Sequence, residues 1–314
     1  MICPLCHGKD LETIEAVNVK ILEKLYKKNF AVDISAFIAG KELHYILCRG
    51  CDLRFFYPQV TGDEAFYNAL QKLDWYYMKE KEEFRYAADF ISSTDKVLEV
   101  GCGKGVFAEC IRSPHYTGLD LSAKAKELAH ERGVNIEVEP IHVHAERHRE
   151  SYDVVCAFQV IEHVRDVRSF LQSMVDCLKK GGLLICAVPS EDSFLRYVSN
   201  GILNMPPHHV SRWSDKSLHS VAAIFSLQVV EVHHERVTRV HEAWYLSVLV
   251  ANAIKTIFNI ERRLLDDSIK HRVVTRISGM LGRVLSKGLS DELRPNGHTV
   301  VAVMRKSNES TTRQ

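Results

Sequence analysis

The sequence predicts an α/β protein: a doubly wound, seven-stranded, mostly parallel sheet, with a small cysteine module ahead of it and a helical insert before the last strand. Three observations carry this. From residue 96 onward, short apolar runs alternate with amphipathic segments, the pattern of a parallel sheet covered by helices. Several of these runs, Val154-Val155-Cys156-Ala157-Phe158 among them, lack polar alternation, as expected of strands buried on both faces. One such run passes directly into three alternate glycines, Gly101, Gly103 and Gly105.

In chain order, residues 1–60 hold two CxxC pairs and little long periodicity. Residues 61–94 read as a helical connector rich in aromatics (Phe66, Tyr67, Trp75, Tyr76, Tyr77, Phe84, Tyr86) that is expected to cover a ligand site. Residues 95–241 form the core, with strands over 96–101, 116–120, 134–138, 152–158, 183–188 and 227–232. Ser122, Asp166 and Ser214 read as N-caps of the helices that follow them, and Gly181-Gly182 as the stop of the second. Residues 242–294 are helix-forming: 244–258 is apolar nearly all round but short for a membrane span, and 261–285 is amphipathic and mildly basic. A hairpin that packs on the domain or makes a homodimer is expected. Peripheral membrane contact through 243–285 is the other arrangement. Residues 295–314 supply the last strand, over 299–304, and a disordered tail.

The chain of 314 residues is long enough for one large domain plus a small appendage. Its 41 Lys+Arg against 40 Asp+Glu give no global field, so nucleic acid is not expected as a partner. Nine cysteines without an apolar export signal point to a reducing, cytoplasmic compartment. Cys102, Cys110, Cys156, Cys177 and Cys186 sit in apolar runs and read as core residues.

The glycine loop needs its glycines because the turn uses backbone angles closed to side chains and because a ligand must approach the main chain. Two ligand classes use such a loop. A dinucleotide sets a doubly negative pyrophosphate there, which Glu99, two residues before the first glycine, would repel. The spacing also departs from GxGxxG. S-adenosylmethionine (SAM) instead brings an ammonium and a sulfonium, which suit a carboxylate. Asp120 closes the next strand about twenty residues on, placed to accept from ribose hydroxyls.

Over residues 96–306 the chain resembles the class I SAM-dependent methyltransferases. The motifs are Glu99-Val100-Gly101-Cys102-Gly103-Lys104-Gly105, Gly118-Leu119-Asp120-Leu121-Ser122, the run 152–164, and Leu178-Lys179-Lys180-Gly181-Gly182. The resemblance implies that Glu99, Gly101, Cys102, Gly103 and Gly105 line the methionyl end of SAM. It implies that Asp120 holds the ribose, Leu121 lies near the adenine and Gln159 sits beside the cofactor. Glu146 is the candidate acid for the adenine.

The reaction expected is O-methylation of a small molecule or saccharide. Its base is sought in His208 or His209, in the loop after the fifth strand, because histidine titrates near neutrality. Glu162 and His163, with a histidine from that loop, form a candidate second site for a divalent cation. That segment is similar to metal-dependent small-RNA 3′-end methyltransferases and ubiquinone-biosynthesis O-methyltransferases, which implies an RNA terminus or a quinone-like phenol as the alternative acceptor. Those families carry an acid three positions before the Glu, where this chain has Gln159. A catalytically silent SAM-binding protein that recruits partners is the reading from another class; the intact glycine loop and His208-His209 argue against it.

Cys3-Pro4-Leu5-Cys6 and Cys48-Arg49-Gly50-Cys51 form two knuckles, each able to present two thiolates to one structural zinc. Lys20, Lys24, Lys27 and Lys28 read as a solvated helix face. The front end resembles zinc-ribbon methyltransferases of bacterial surface-polysaccharide and small-molecule pathways.

Overall fold

Apolar runs that would each leave a face exposed alone pair into two sheets in the computed structural model, which describes residues 1–70, 81–288 and 294–308. The front end contains β1 (Leu11–Val17), α1 (Val19–Phe30), α2 (Ser35–Ile38), β2 (Leu43–Cys48) and β3 (Arg54–Tyr57). Asn18 caps α1, its side chain accepting from the Ile21 amide, and the helix buries Leu22 and Tyr26. After α3 (Glu64–Leu70) and α4 (Glu82–Ala88) come β4 (Val97–Val100), β5 (Tyr116–Asp120), α5 (Ala123–His130), β6 (Ile136–Val138) and α6 (Ile141–Arg147). The core continues with β7 (Tyr152–Phe158), α7 (Val167–Cys177), β8 (Leu178–Pro189), β9 (Ser211–Arg212), α8 (Asp215–Ile224) and β10 (Leu227–Arg236). The insert is α9 (Glu242–Ile257) and α10 (Ile269–Leu285), and β11 (Asn296–Lys306) closes the chain.

The larger sheet runs β10-β11-β8-β7-β4-β5-β6. Its members from β8 to β6 are parallel, and β11 is antiparallel to both neighbours. Strand order reverses between β4 and β7, which opens a crevice at their carboxyl ends. All three expected caps hold their helices: Ser122, Asp166 and Ser214 accept from the amides of Ala125, Ser169 and Ser217. The glycine stop does not. α7 ends at Cys177 and the chain enters β8 at once. Gly181 lies at φ 75, and a Cβ on Gly182 would sit 2.9 Å from the Asp153 carbonyl. Of the five scattered cysteines, Cys110 is exposed rather than core, because the chain after the glycines makes only a short turn at the surface.

The front end shares its sheet with the core. β9, from the loop beyond β8, pairs with β3 to give the order β1-β2-β3-β9. Leu5, Ile46, Leu53 and Phe55 join one apolar cluster with Leu98, Val155 and Trp213. In the insert, 258–268 is not helical, so the second helix begins later than its amphipathic pattern suggested. α9 and α10 pack antiparallel where Gly282 lets Ser247 and Ala243 approach. Leu264 and Leu265, in the connection, pack against the front end. No helix among the described residues is long and apolar enough to cross a membrane. Trp75, Tyr76 and Tyr77, and most of the expected tail, lie outside the described residues.

Candidate active site

The glycine loop leaves the sheet at the crevice. Gly101, Gly103 and Gly105 have φ 75, 53 and 68, the left-handed region that side chains disfavour. A Cβ on Gly101 would lie 2.5 Å from Val160, while Gly103 has nothing within 4 Å and faces open space. Gly105 turns toward Val134 instead, and its neighbours Lys104 and Val106 line the cavity. The expected helix after the loop is only a four-residue 3₁₀ turn, Val106–Glu109. It offers no aligned dipole for a pyrophosphate.

Glu99, next to last in β4, is buried and accepts from the Tyr116 hydroxyl. Burial pushes its carboxyl up to about 8 despite that bond, which favours the neutral form until a cation arrives. Asp120 ties the loop together: Oδ2 accepts from Gly103 N at 2.8 Å and Oδ1 from Ser122 N at 2.9 Å. Further lone pairs remain on each oxygen. Cys102 is buried beneath the loop and lines the same cavity.

Two cavities meet at Gly101, Asp120, Gln159 and His163. One, of about 880 Å³, is walled by Leu121, Pro140, Ile141 and Val160. Leu121 is 74% exposed, an apolar platform at the cavity wall. Glu139 lines this wall beside Pro140 and Ile141, and Glu146 does not. Glu146 is exposed on α6, whereas Glu139 is held by His144 Nδ1 at 2.7 Å and by Arg147. Gln159 reaches both cavities from the end of β7, at φ 58.

The other cavity, of about 970 Å³, runs from Glu99 and Gly103 to three histidines. His163, His208 and His209 each bring a ring nitrogen within 4.8 Å of the other two. Their Nδ1 atoms donate to the carbonyl of His208 at 2.7 Å, the carbonyl of Leu203 at 2.8 Å and Asn204 Oδ1 at 2.9 Å, respectively. That places each lone pair on Nε2. Burial lowers His163 to about 4 and His208 to about 3, and holds His209 well below its ordinary value. A histidine titrating near neutrality, expected from the sequence, is therefore corrected to a cluster of neutral imidazoles. The expected grouping of Glu162 with His163 is corrected too: the triplet contains both loop histidines and not Glu162. Glu162 lines the cavity wall, its oxygens without a hydrogen-bond partner among the described residues, and burial pushes it to about 8.

Beyond His209 a side cavity of about 310 Å³ opens between α1, the loop after β8, α9 and β11. Phe30, Leu195, Ile202 and Trp244 give it mainly apolar walls, and Leu203, His209 and His298 are shared with the larger cavity. The one guanidinium there, Arg212, is balanced by Glu191 at 3.7 Å and stacks over Tyr45 and Phe56. Sequence reasoning did not single out His298, Trp244, Tyr67 or Lys81 for this site. Tyr67 places its hydroxyl 3.4 Å from His163 Nδ1, and Lys81 lines the wall beside Glu99. Tyr67 carried a signal only as part of the aromatic connector.

At the front end, Cys3, Cys6, Cys48 and Cys51 bring their sulfurs within 4.8 Å of one another, with Cys3–Cys51 and Cys6–Cys48 at 3.5 Å. A tetrahedral zinc–thiolate site sets its sulfurs ~3.8 Å apart. The two knuckles repeat one geometry. His7 N donates to Cys3 O and Asp52 N to Cys48 O, and both residues sit in the left-handed region. The Gly8 amide donates to Cys6 Sγ at 3.4 Å. The donor set and its closed geometry fit zinc, with His7 serving the turn.

Comparison with known proteins gives one direction. A family model described as a methyltransferase domain matches residues 70–232, just over half of the chain. The ubiquinone biosynthesis O-methyltransferase of Pectobacterium atrosepticum is 38% identical over 95 residues, which cover 28% of this chain and 39% of that protein. Its namesake from Salmonella arizonae is 29% identical over 147 residues, covering 39% of this chain and 61% of the relative. The chain thus spans less than two thirds of the curated relatives it matches. The crystal structure of a SAM dependent methyltransferase from Archaeoglobus fulgidus superposes with a TM-score of 0.51 at 15% identity, over 78% of this chain and all of the other, a likeness of fold.

Proposed function

This chain belongs to the methyltransferase-domain family, and from that premise we propose that it transfers a methyl group from SAM to a hydroxyl on a small, ring-bearing apolar acceptor. The observation that carries the reading is the continuous cavity from Glu99 and Gly103 to the three imidazoles. When bound, SAM supplies a methyl carbon already activated by its positive sulfur. Glu99 and the open face at Gly103 suit the methionyl end, Asp120 the ribose, and Leu121 with Ile141 the adenine. The protein's task is then alignment and proton removal. His208 and His209 line the far end of that cavity as neutral imidazoles, where a hydroxyl proton would be drawn off as the methyl arrives.

The side cavity supports the acceptor class. A cavity of about 150 Å³ accommodates a benzene, so 310 Å³ holds a ring with a few substituents. Its apolar walls and balanced charge suit a phenol-like compound better than a saccharide, whose hydroxyls would lose their hydrogen bonds there. The names of the relatives run the same way.

A second reading has an observation of its own. Three neutral imidazoles, each oriented through Nδ1–H by an oxygen, are the arrangement by which histidines hold a divalent cation. Such a cation would polarise the hydroxyl in place of a base. At the front end, Cys3, Cys6, Cys48 and Cys51 would hold a structural zinc.

Purified protein with labelled SAM and a panel of substituted phenols, saccharides and alkylamines tests both readings. Methyl transfer to phenols that survives chelation supports the imidazole base; transfer abolished by chelator and restored by a divalent cation supports the metal-assisted form. Transfer confined to amines or saccharides overturns the acceptor class. Metal analysis of the same preparation is expected to give one zinc per chain, lost when Cys48 and Cys51 become serine.

A further inference from the structure

α10 buries Val274, Ser278 and Gly282 against α9 and leaves its opposite face in solvent. Exposed along that face are Ile269, Val273, Ile277, Met280 and Val284, at 71%, 50%, 41%, 63% and 66%. At about 100° per residue they fall in one stripe roughly 80° wide. Single exposed apolar residues need no explanation; a continuous row does. Arg272, Arg276 and Arg283 border the stripe on one side and Lys270 on the other, and Lys287 follows at the helix end, all exposed. No acidic residue occurs from Ser268 to Gly288. Because α9 and α10 run antiparallel, the exposed Ile257 and Phe258 lie toward the Ile269 end of the hairpin.

We infer that this face of α10 docks on the surface of an anionic lipid bilayer. An apolar stripe edged by arginine and lysine is the form of a helix that lies in the interface plane, its apolar side chains among the acyl chains and its cations at the phosphates. Charge complementarity selects the bilayer over a second copy of the chain. A two-fold contact would set the stripe and its arginines against themselves, with no carboxylate on the helix to offset them. The helix is too short to span, at ~25 Å for 17 residues, and lies along the surface. It is also built before it docks: Ser268 caps it, and His271 near its start is hydrogen-bonded by Asn200 at 3.0 Å. Docking therefore orders little that is not already ordered.

Sedimentation of the full-length protein with vesicles tests this. The protein is expected to pellet with phosphatidylglycerol vesicles, to stay in solution with phosphatidylcholine vesicles, and to be released by high salt. The triple variant Arg272→Ala/Arg276→Ala/Arg283→Ala is expected to partition about a hundredfold less. Val273→Asp/Met280→Asp is expected to lose vesicle binding. Both variants alter only exposed side chains and should bind S-adenosylhomocysteine as the parent does in calorimetry, which separates docking from the methyltransferase reading. Failure of the parent to pellet with phosphatidylglycerol, equal pelleting with both lipids, or unchanged binding by the variants overturns the proposal. A parent dimer that Val273→Asp/Met280→Asp dissolves, with no vesicle binding, would assign the face to a second copy.

Discussion

The two ends of the main cavity are built from different materials. The Glu99 end is mostly backbone: a strand end, three left-handed glycines and one carboxylate that stitches amides together. The histidine end is mostly side chain, contributed by the turn after β7, the loop before β9 and the amino end of β11, with the side cavity beyond His209 adding α1 and α9. A backbone site tolerates little change at any position but is compact in the chain. A side-chain site is spread along the whole chain, and its parts are separable in function.

That difference can be tested by substitution. His209→Ala removes an imidazole from the acceptor end alone; kcat is expected to fall roughly 10²–10⁴-fold, with affinity for S-adenosylhomocysteine unchanged in calorimetry. A parallel loss of that affinity would mean the two ends are one site. Gly101→Ala makes the reciprocal change. Its methyl group would enter at φ 75 against Val160, and the strain of roughly 3 kcal/mol should weaken cofactor binding about a hundredfold.

The smallest effect is electrostatic and has opposite signs at the two ends. His163 and His208 lie far below the ordinary 6.5, so the folded state resists the protons that the unfolded chain binds, and stability falls as pH drops below 6.5. Glu99, raised from 4.5 to about 8, stays protonated when the unfolded chain has ionised, so stability falls as pH rises from 4.5 toward 8. Above 6.5 the imidazoles contribute no further change and the carboxyls act alone. Thermal unfolding of the unliganded protein should therefore show stability declining from pH 6.5 to 8, by on the order of 1–2 kcal/mol for each such carboxyl. Glu99→Gln should flatten part of that decline. A flat profile in the parent would remove Glu99 from the account.

Legibility in the sequence follows the same division. The glycine loop could be read because left-handed angles demand glycine and because Glu99 and Asp120 stand at fixed distances from it. The cysteine knuckles were legible for the same reason, as local geometry repeated twice. His208 and His209 could be flagged, but their neutral state could not, since it comes from burial by residues distant in sequence. Trp244 and His298 were silent: one is an aromatic in an apolar helix, the other precedes a strand, and only the position of the insert beside β11 brings them to the cavity. Glu139, the first residue after β6, was passed over for Glu146 because only the folded chain shows α6 carrying Glu146 to solvent while His144 and Arg147 hold Glu139 at the cavity wall.

One short element has a consequence out of proportion to its length. β9 is two residues, Ser211 and Arg212, paired with Phe55 and Arg54 of the cysteine-bearing hairpin. His208 and His209 stand just upstream of it, so the segment that presents these imidazoles is fastened on one side to the front end, through Arg54, Phe55 and Phe56, and on the other to the core, where Val210 N donates to the Glu162 carbonyl and Trp213 bridges Ser190. On the proposed function, the spacing between methyl donor and proton acceptor is thus a dimension of the assembly between two sheets. The cysteine cluster, remote from that cavity, helps set the distance between its two ends.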